Sequence, residues 1–152
     1  MIDAPVANAF VLPGGKIFVF TGILPITQND DGLAAVLGHE LAHQFARHSA
    51  ERMSRMAILF LARFLLSFVT DTSLLFNQVI LQLGVLNPHS RTCESEADYI
   101  GLLFMAKACY DPEQAIEFWK RMKRKDHGAI PEFLSTHPSS GKTLYPSLIH
   151  NR

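Results

Sequence analysis

The chain opens with two short apolar runs on either side of a turn. Ala9-Phe-Val-Leu12 and Ile17-Phe-Val-Phe20 flank Pro13-Gly14-Gly15, and β-prone residues around such a turn predict a hairpin. After residue 30 the period changes. Leu33, Ala34, Val36, Leu37, Leu41, Ala42 and Phe45 recur at mostly helical spacing behind Asp30 and Asp31, the expected N-caps, and no proline interrupts residues 26–87. The pattern predicts a helix over 31–53. Further helices are expected over 56–70, 73–85, 92–109 and 112–124, with a short one over 140–149. Pro88 and Ser90 punctuate the start of the fourth, and Asp111-Pro112 its end. The fold class is therefore α+β, mostly α, with strands confined to the beginning.

The segment Met56–Leu86 is the most apolar part of the chain. Met56–Val69 is apolar on nearly all faces but is only 14 residues long and carries Arg63 at mid-length, whereas a spanning helix needs about 20 apolar residues. Leu74–Leu86 is broken by Asn77, Gln78 and Gln82. A hydrophobic helical hairpin is expected, packed on the core or dipping into a membrane face.

Within the 31–53 helix stands His39-Glu40-Leu-Ala-His43. Histidines four apart on a helix lie about 40° apart around the axis, so both reach one metal ion, and Glu40 comes round to the same site as a general base. The three fixed positions alone occur by chance in roughly one chain of this length in a few hundred, so the surroundings matter. A zinc site needs a third protein ligand and an open position for water. A third histidine in the metzincin manner is excluded, because Ala46 and Ser49 stand where Gly and His are required. His48, nine residues past His39, falls about 180° round a continuous helix and is expected to partner another element or face solvent.

The third ligand is sought in Ser-Arg-Thr-Cys-Glu-Ser-Glu-Ala-Asp, residues 90–98. Glu94 and Asp98 share a helix face: Glu94 offers a ligand oxygen, and Asp98 an acceptor for the second N–H of a ligand imidazole. Glu96 is rotated about 200° from Glu94 and points away. Taken alone, the cluster reads as ordinary acidic stabilisation of a helix start. Beside the paired histidines, it reads as the ligand.

Three ordered motifs, His39-Glu40-x-x-His43, Ser90-Arg91-x-x-Glu94-x-x-Ala97-Asp98 and Ser135-Thr-His-Pro138, resemble the gluzincin family of HtpX-type heat-shock proteases and CaaX prenyl endopeptidases. Asn8–Gly22, Gly101–Cys109 and Phe118-Trp119 are most similar to its mitochondrial inner-membrane quality-control branch, whose activity overlaps the m-AAA protease. The resemblance runs from about Ala7 to Gly141. It implies a zincin-type core with one Zn2+ per chain between two helices, held by His39, His43 and Glu94. It also implies Glu40 as general base, Asp98 orienting a ligand histidine, and His137 stabilising the oxyanion. Polypeptide substrates, membrane proteins among them, and the mitochondrial inner membrane follow from the resemblance alone.

Two departures bear on activity. The family usually carries Arg six residues after the Thr-His-Pro histidine, where this chain has Thr143 beside Lys142, neither of which offers a bidentate guanidinium. Thr143–Arg152 does not resemble the long helix that follows in the family, and Met1–Pro5 enters where the family is already inside a sheet. The expectation is a single catalytic domain over 1–152, without the family's membrane and targeting region or its C-terminal helix. The alternative is a zinc-binding but inactive relative serving as an interaction module.

Composition adds little. Fourteen basic and fourteen acidic residues leave a formal charge of zero, which gives no sign of a nucleic-acid partner. The basic run Lys120–Lys125 suits the end of the 112–124 helix. Cys93 and Cys109, sixteen residues apart on one helix, are separated by about 24 Å and cannot be bridged. Cys93 adjoins Glu94 but reads as a buried thiol.

Overall fold

A computed structural model describes residues 1–69 and 87–124, together with Phe133 and His137. The hairpin forms as the sequence predicts: β1 (Ala9–Leu12) pairs antiparallel with β2 (Lys16–Val19), Ala9 opposite Val19 and Leu12 opposite Lys16. Gly14 and Gly15 take φ of 96° and 79°, and the Gly15 N–H closes the turn on the Leu12 carbonyl at 3.0 Å. A side chain at either position would be strained. Phe10 and Phe18 stack across the pair at 5.1 Å, and Ile2 adds a parallel bridge beside Phe20.

A 3-10 turn (Thr21–Ile23) and a short helix α1 (Leu24–Thr27), neither expected from the pattern, lead into α2 (Asp30–Phe45). The cap of α2 is Asn29, one residue before the expected pair, its side-chain oxygen accepting from the Gly32 N–H at 2.8 Å. Asp30 and Asp31 occupy the first turn, where their charge suits the helix dipole.

The predicted 31–53 helix is in fact broken. It ends at Phe45, Arg47 turns through φ 58°, and α3 (His48–Val69) starts afresh. The break therefore comes well before residue 53. Neither glycine nor proline marks the place, and a non-glycine residue in the left-handed region is rare enough that periodicity cannot foresee it.

Helix α4 (Asn87–Lys107) begins five residues ahead of the expected 92. Pro88 lies within its first turn, where a missing N–H costs nothing. It ends as a Schellman motif: Cys109 has φ 61°, and the Tyr110 N–H donates to the Met105 carbonyl at 2.9 Å. Helix α5 (Glu113–Arg124) lies where it is expected. Arg121, from the basic run, reaches past its own helix end to donate to the Ile26 and Thr27 carbonyls at 2.6 and 3.1 Å, tying α5 to α1. The predicted helices over 73–85 and 140–149 fall outside the described residues.

The core gathers Ile23, Ile26, Val36, Met105, Phe118, Trp119, Met122 and Phe133, all buried. Its main seam is α2 against α4. At the crossing two glycines face each other: a Cβ on Gly38 would stand 3.1 Å from the Gly101 carbonyl oxygen, and one on Gly101 would stand 3.1 Å from the His39 amide nitrogen. Absence of side chains there lets the two backbones touch beside the first motif histidine. Among the described residues, no helix is long and apolar enough to cross a membrane.

Gly101→Leu is expected to force α2 and α4 apart and to destabilise the fold by about 1–3 kcal/mol. Urea unfolding followed by circular dichroism measures it; a midpoint unchanged from the parent would show that the seam is looser than described.

Candidate active site

The α2–α4 seam brings the motif residues together. His39, His43, Glu94 and His137 each offer one donor atom, and these atoms all lie within 4.8 Å of one another. His39 Nε2 is 3.1 Å from His43 Nε2 and 3.4 Å from Glu94 Oε2, while His43 Nε2 is 3.5 Å from Glu94 Oε1. The other ring nitrogen of His39 meets Asp98 Oδ1 at 3.1 Å. Asp98 is buried, and on a neutral His39 its carboxylate would hold the proton on Nδ1 and leave the Nε2 lone pair toward the cluster.

Glu40 lines the same wall. It is 2 % exposed, and its Oε1 lies 3.4 Å from His137 Nε2. That oxygen has no hydrogen-bond partner among the described residues, an arrangement that costs free energy unless something polar meets it. His137 also places Nδ1 2.9 Å from Glu94 Oε2 and 3.2 Å from His39 Nε2. His137 thus lies at the site, as the resemblance implies.

Aromatic side chains floor the cluster. Trp119 sits edge-on to His39 at 5.7 Å and stacks on Phe133 at 5.5 Å, while Phe133 lies 4.7 Å from the His137 ring. They exclude water from one side and so strengthen the electrostatics within. Phe118-Trp119 carried part of the family resemblance, but nothing in the sequence tied Trp119 to His39. Phe133, from a stretch of sequence without periodicity, carried no signal at all.

Three further residues flank the donor group. His48 is not on the helix of His39, because the chain breaks at Arg47. It is buried against His43 and lies outside the four-residue donor group, 2.9 Å from His43 Nδ1. Glu96 points away from the donors, as its rotation implies, and meets His48 Nε2 at 3.3 Å. Cys93, expected to be buried, is half-buried, its thiol pushed up to about 11 by burial and by the Glu51, Glu94 and Glu96 carboxylates. It remains protonated at neutral pH. Thr143 lies outside the described residues.

The site's charges are strongly coupled. Burial disfavours a charged His39, but hydrogen bonds with Asp98 and Glu94 outweigh it and raise the imidazole to about 10. Burial lowers His43 to about 4, only partly offset by Glu94. Glu94 is desolvated too, yet hydrogen bonds with His137, His39 and His43 hold it well below the usual carboxylate range. Burial raises Glu40, against the opposing pull of His137 and His39. A proton on His39 offsets part of the charge of the Glu94 and Asp98 carboxylates.

These residues fit a zinc ion. The donors are two imidazole nitrogens and a carboxylate oxygen, the mixture zinc takes in catalytic sites. Asp98 fixes the tautomer of one imidazole, and the unpartnered Glu40 oxygen lies beside the donors. A helical core with paired histidines on one helix, a glutamate on the next and a buried carboxylate alongside defines a zincin-type metallohydrolase site. Residues 1–144 match the model of Peptidase family M48, and the chain belongs to that family. It is 49 % identical over 146 residues to the mitochondrial metalloendopeptidase OMA1 of Schizosaccharomyces pombe, a match covering 95 % of this chain and 43 % of that protein. To the mitochondrial metalloendopeptidase OMA1 of Homo sapiens it is 43 % identical over 158 residues, covering 95 % and 30 %. A beta-barrel assembly-enhancing protease of Yersinia pestis is 29 % identical over 144 residues, covering 86 % and 29 %. The chain spans less than half the length of these relatives.

Because His39 titrates near 10, it carries a proton throughout the neutral range, and a metal ion must displace it. Zinc binding at pH 6.5 is expected to release about one proton per ion. The release should disappear only as pH rises past about 10. Calorimetry in buffers of different ionisation enthalpy reads the number directly; zero protons released would contradict the His39–Asp98–Glu94 coupling.

Proposed function

We propose that the chain is the catalytic domain of a zinc-dependent metalloendopeptidase. The observation that carries this reading is the convergence of His39, His43 and Glu94 on one point with the Glu40 carboxyl beside it. Those three side chains would hold the ion. Zinc, when bound there, supplies Lewis-acid chemistry, activating water and polarising the scissile carbonyl.

The chain's own groups do the remaining work. Glu40, buried and raised above the usual carboxylate range, takes a proton from the attacking water and returns it to the leaving amine. Asp98 holds His39 in register. His137, on the opposite side of Glu40, offers an N–H to the oxyanion of the tetrahedral intermediate. This requires its Nδ1 to stay out of the metal's open position, since a fourth protein ligand would leave no place for water. One edge of the strand pair could take an extended polypeptide as a further strand. The relatives' names support a mitochondrial location; a role in protein quality control at the inner membrane, with membrane-associated proteins as substrates, rests on the family resemblance alone.

A second reading, a zinc-binding but inactive interaction module, is favoured by Thr143 standing where the family usually carries Arg. Purified protein should hold one zinc, lost or weakened in His39→Ala and Glu94→Ala. Glu40→Gln should keep the metal and lower casein cleavage by about 10²–10⁴-fold. Zinc binding without cleavage in the parent would favour the inactive module, and no zinc after reconstitution would sink both readings.

Helix α3 supports contact with a membrane or a membrane-embedded substrate. Its exposed apolar side chains include Met53, Ile58, Phe60 and Leu61, between 57 and 72 % accessible. Vesicle flotation should recover the protein with liposomes, and Ile58→Asp with Phe60→Asp should release it. A parent protein that stays with the soluble fraction would count against the membrane role.

A further inference from the structure

The break at Arg47 gives the second motif histidine a support that the sequence does not announce. We infer that His48 and Glu96 form an orienting relay that fixes His43 in its metal-binding tautomer; this rests on the zinc reading above. His48 is 6 % exposed. Its Nδ1 lies 2.9 Å from His43 Nδ1, and its Nε2 lies 3.3 Å from Glu96 Oε2. The two rings meet edge to face with centroids 4.9 Å apart. His43 Nε2 faces the donor cluster, 3.1 Å from His39 Nε2.

Proton counting leaves one arrangement. A neutral imidazole has one N–H and one lone pair. If the His43 Nε2 lone pair goes to the metal, its proton sits on Nδ1 and donates to His48 Nδ1. His48 accepts there only if its own proton is on Nε2, where the Glu96 carboxylate accepts it. Reversing the first bond would move the His43 proton onto Nε2, blocking the metal, and would set the bare His48 Nε2 lone pair against a carboxylate. The chain of contacts therefore selects the ligand form of His43.

Helix α4 then supports both imidazoles, Asp98 directly behind His39 and Glu96 through His48 behind His43. The two supports differ in strength. Asp98 is buried, whereas the Glu96 side chain is 54 % exposed, so solvent screens its charge and the His48 contact carries most of the effect. His48 is a positioning residue: it touches a ligand, not the reacting atoms.

The test measures zinc affinity by chelator competition and the visible spectrum of the cobalt(II)-substituted protein. His48→Phe, which keeps the ring and removes both nitrogens, should weaken zinc about 10–100-fold and shift the cobalt bands at full occupancy. His48→Gln, whose amide can accept from His43 and donate to Glu96, should recover most of the loss. Glu96→Gln should cost only a few-fold. In the zinc-loaded parent, ¹⁵N NMR should show His48 protonated on Nε2, a readout that needs no variant to fold. Parent-like affinity and spectrum in His48→Phe, or a proton on His48 Nδ1, would overturn the relay while leaving the zinc reading intact. Failure of the parent to bind zinc or cobalt would instead remove that reading first.

Discussion

Everything at the site depends on how closely α2 and α4 approach. The backbone of Gly101 lies against Gly38 and the His39 amide, and nothing larger than hydrogen fits between. That contact sets the separation of two helices that together carry three of the four donors, His39 and His43 on one and Glu94 on the other. A helix pair held apart by ordinary side chains packs at about 8–10 Å. Here the spacing at the crossing is dictated by backbone, which cannot change rotamer, so the ligand geometry inherits a rigidity that side-chain packing alone would not supply.

Placing a cluster of titratable groups in the middle of so small a core is costly. His39, Glu40, Glu94 and Asp98 are all buried, and each loses hydration on folding. The molecule offsets this by pairing: Asp98 with His39, Glu94 with three imidazoles, and His48 with His43 and Glu96. Glu40 is the exception. It is raised by its burial and keeps one oxygen without a hydrogen bond among the described residues. The group left least satisfied is the one the chemistry asks to exchange a proton, which is where an uneven distribution of hydrogen bonds is useful.

The same division separates what the sequence could and could not reveal. The hairpin was legible because Pro13-Gly14-Gly15 forces its turn, and α5 because of Asp111-Pro112. The donor set was legible because it follows from helical spacing on two separate helices, and spacing survives any detail of packing. The break at Arg47 was not, because an arginine in a left-handed conformation leaves no compositional trace. His48 does partner another element, Glu96, as one of its two readings had it, but the angle behind that reading was counted on a helix that does not continue. Phe133 was invisible for a different reason: the sequence around it has no period from which to infer an inward side, and its packing is on Trp119 across the fold. Trp119 belonged to a recognisable motif, yet its contact with His39 is a tertiary fact.

That contact has an optical consequence. The chain contains one tryptophan, and its indole stands edge-on to His39. All indole emission therefore originates beside the imidazole proposed as a metal ligand. A protonated histidine at such range quenches indole, and one committed to a metal does not do so in the same way. The intrinsic fluorescence of this protein is thus a gauge of whether His39 carries a proton or an ion, built into the floor of the site without any label.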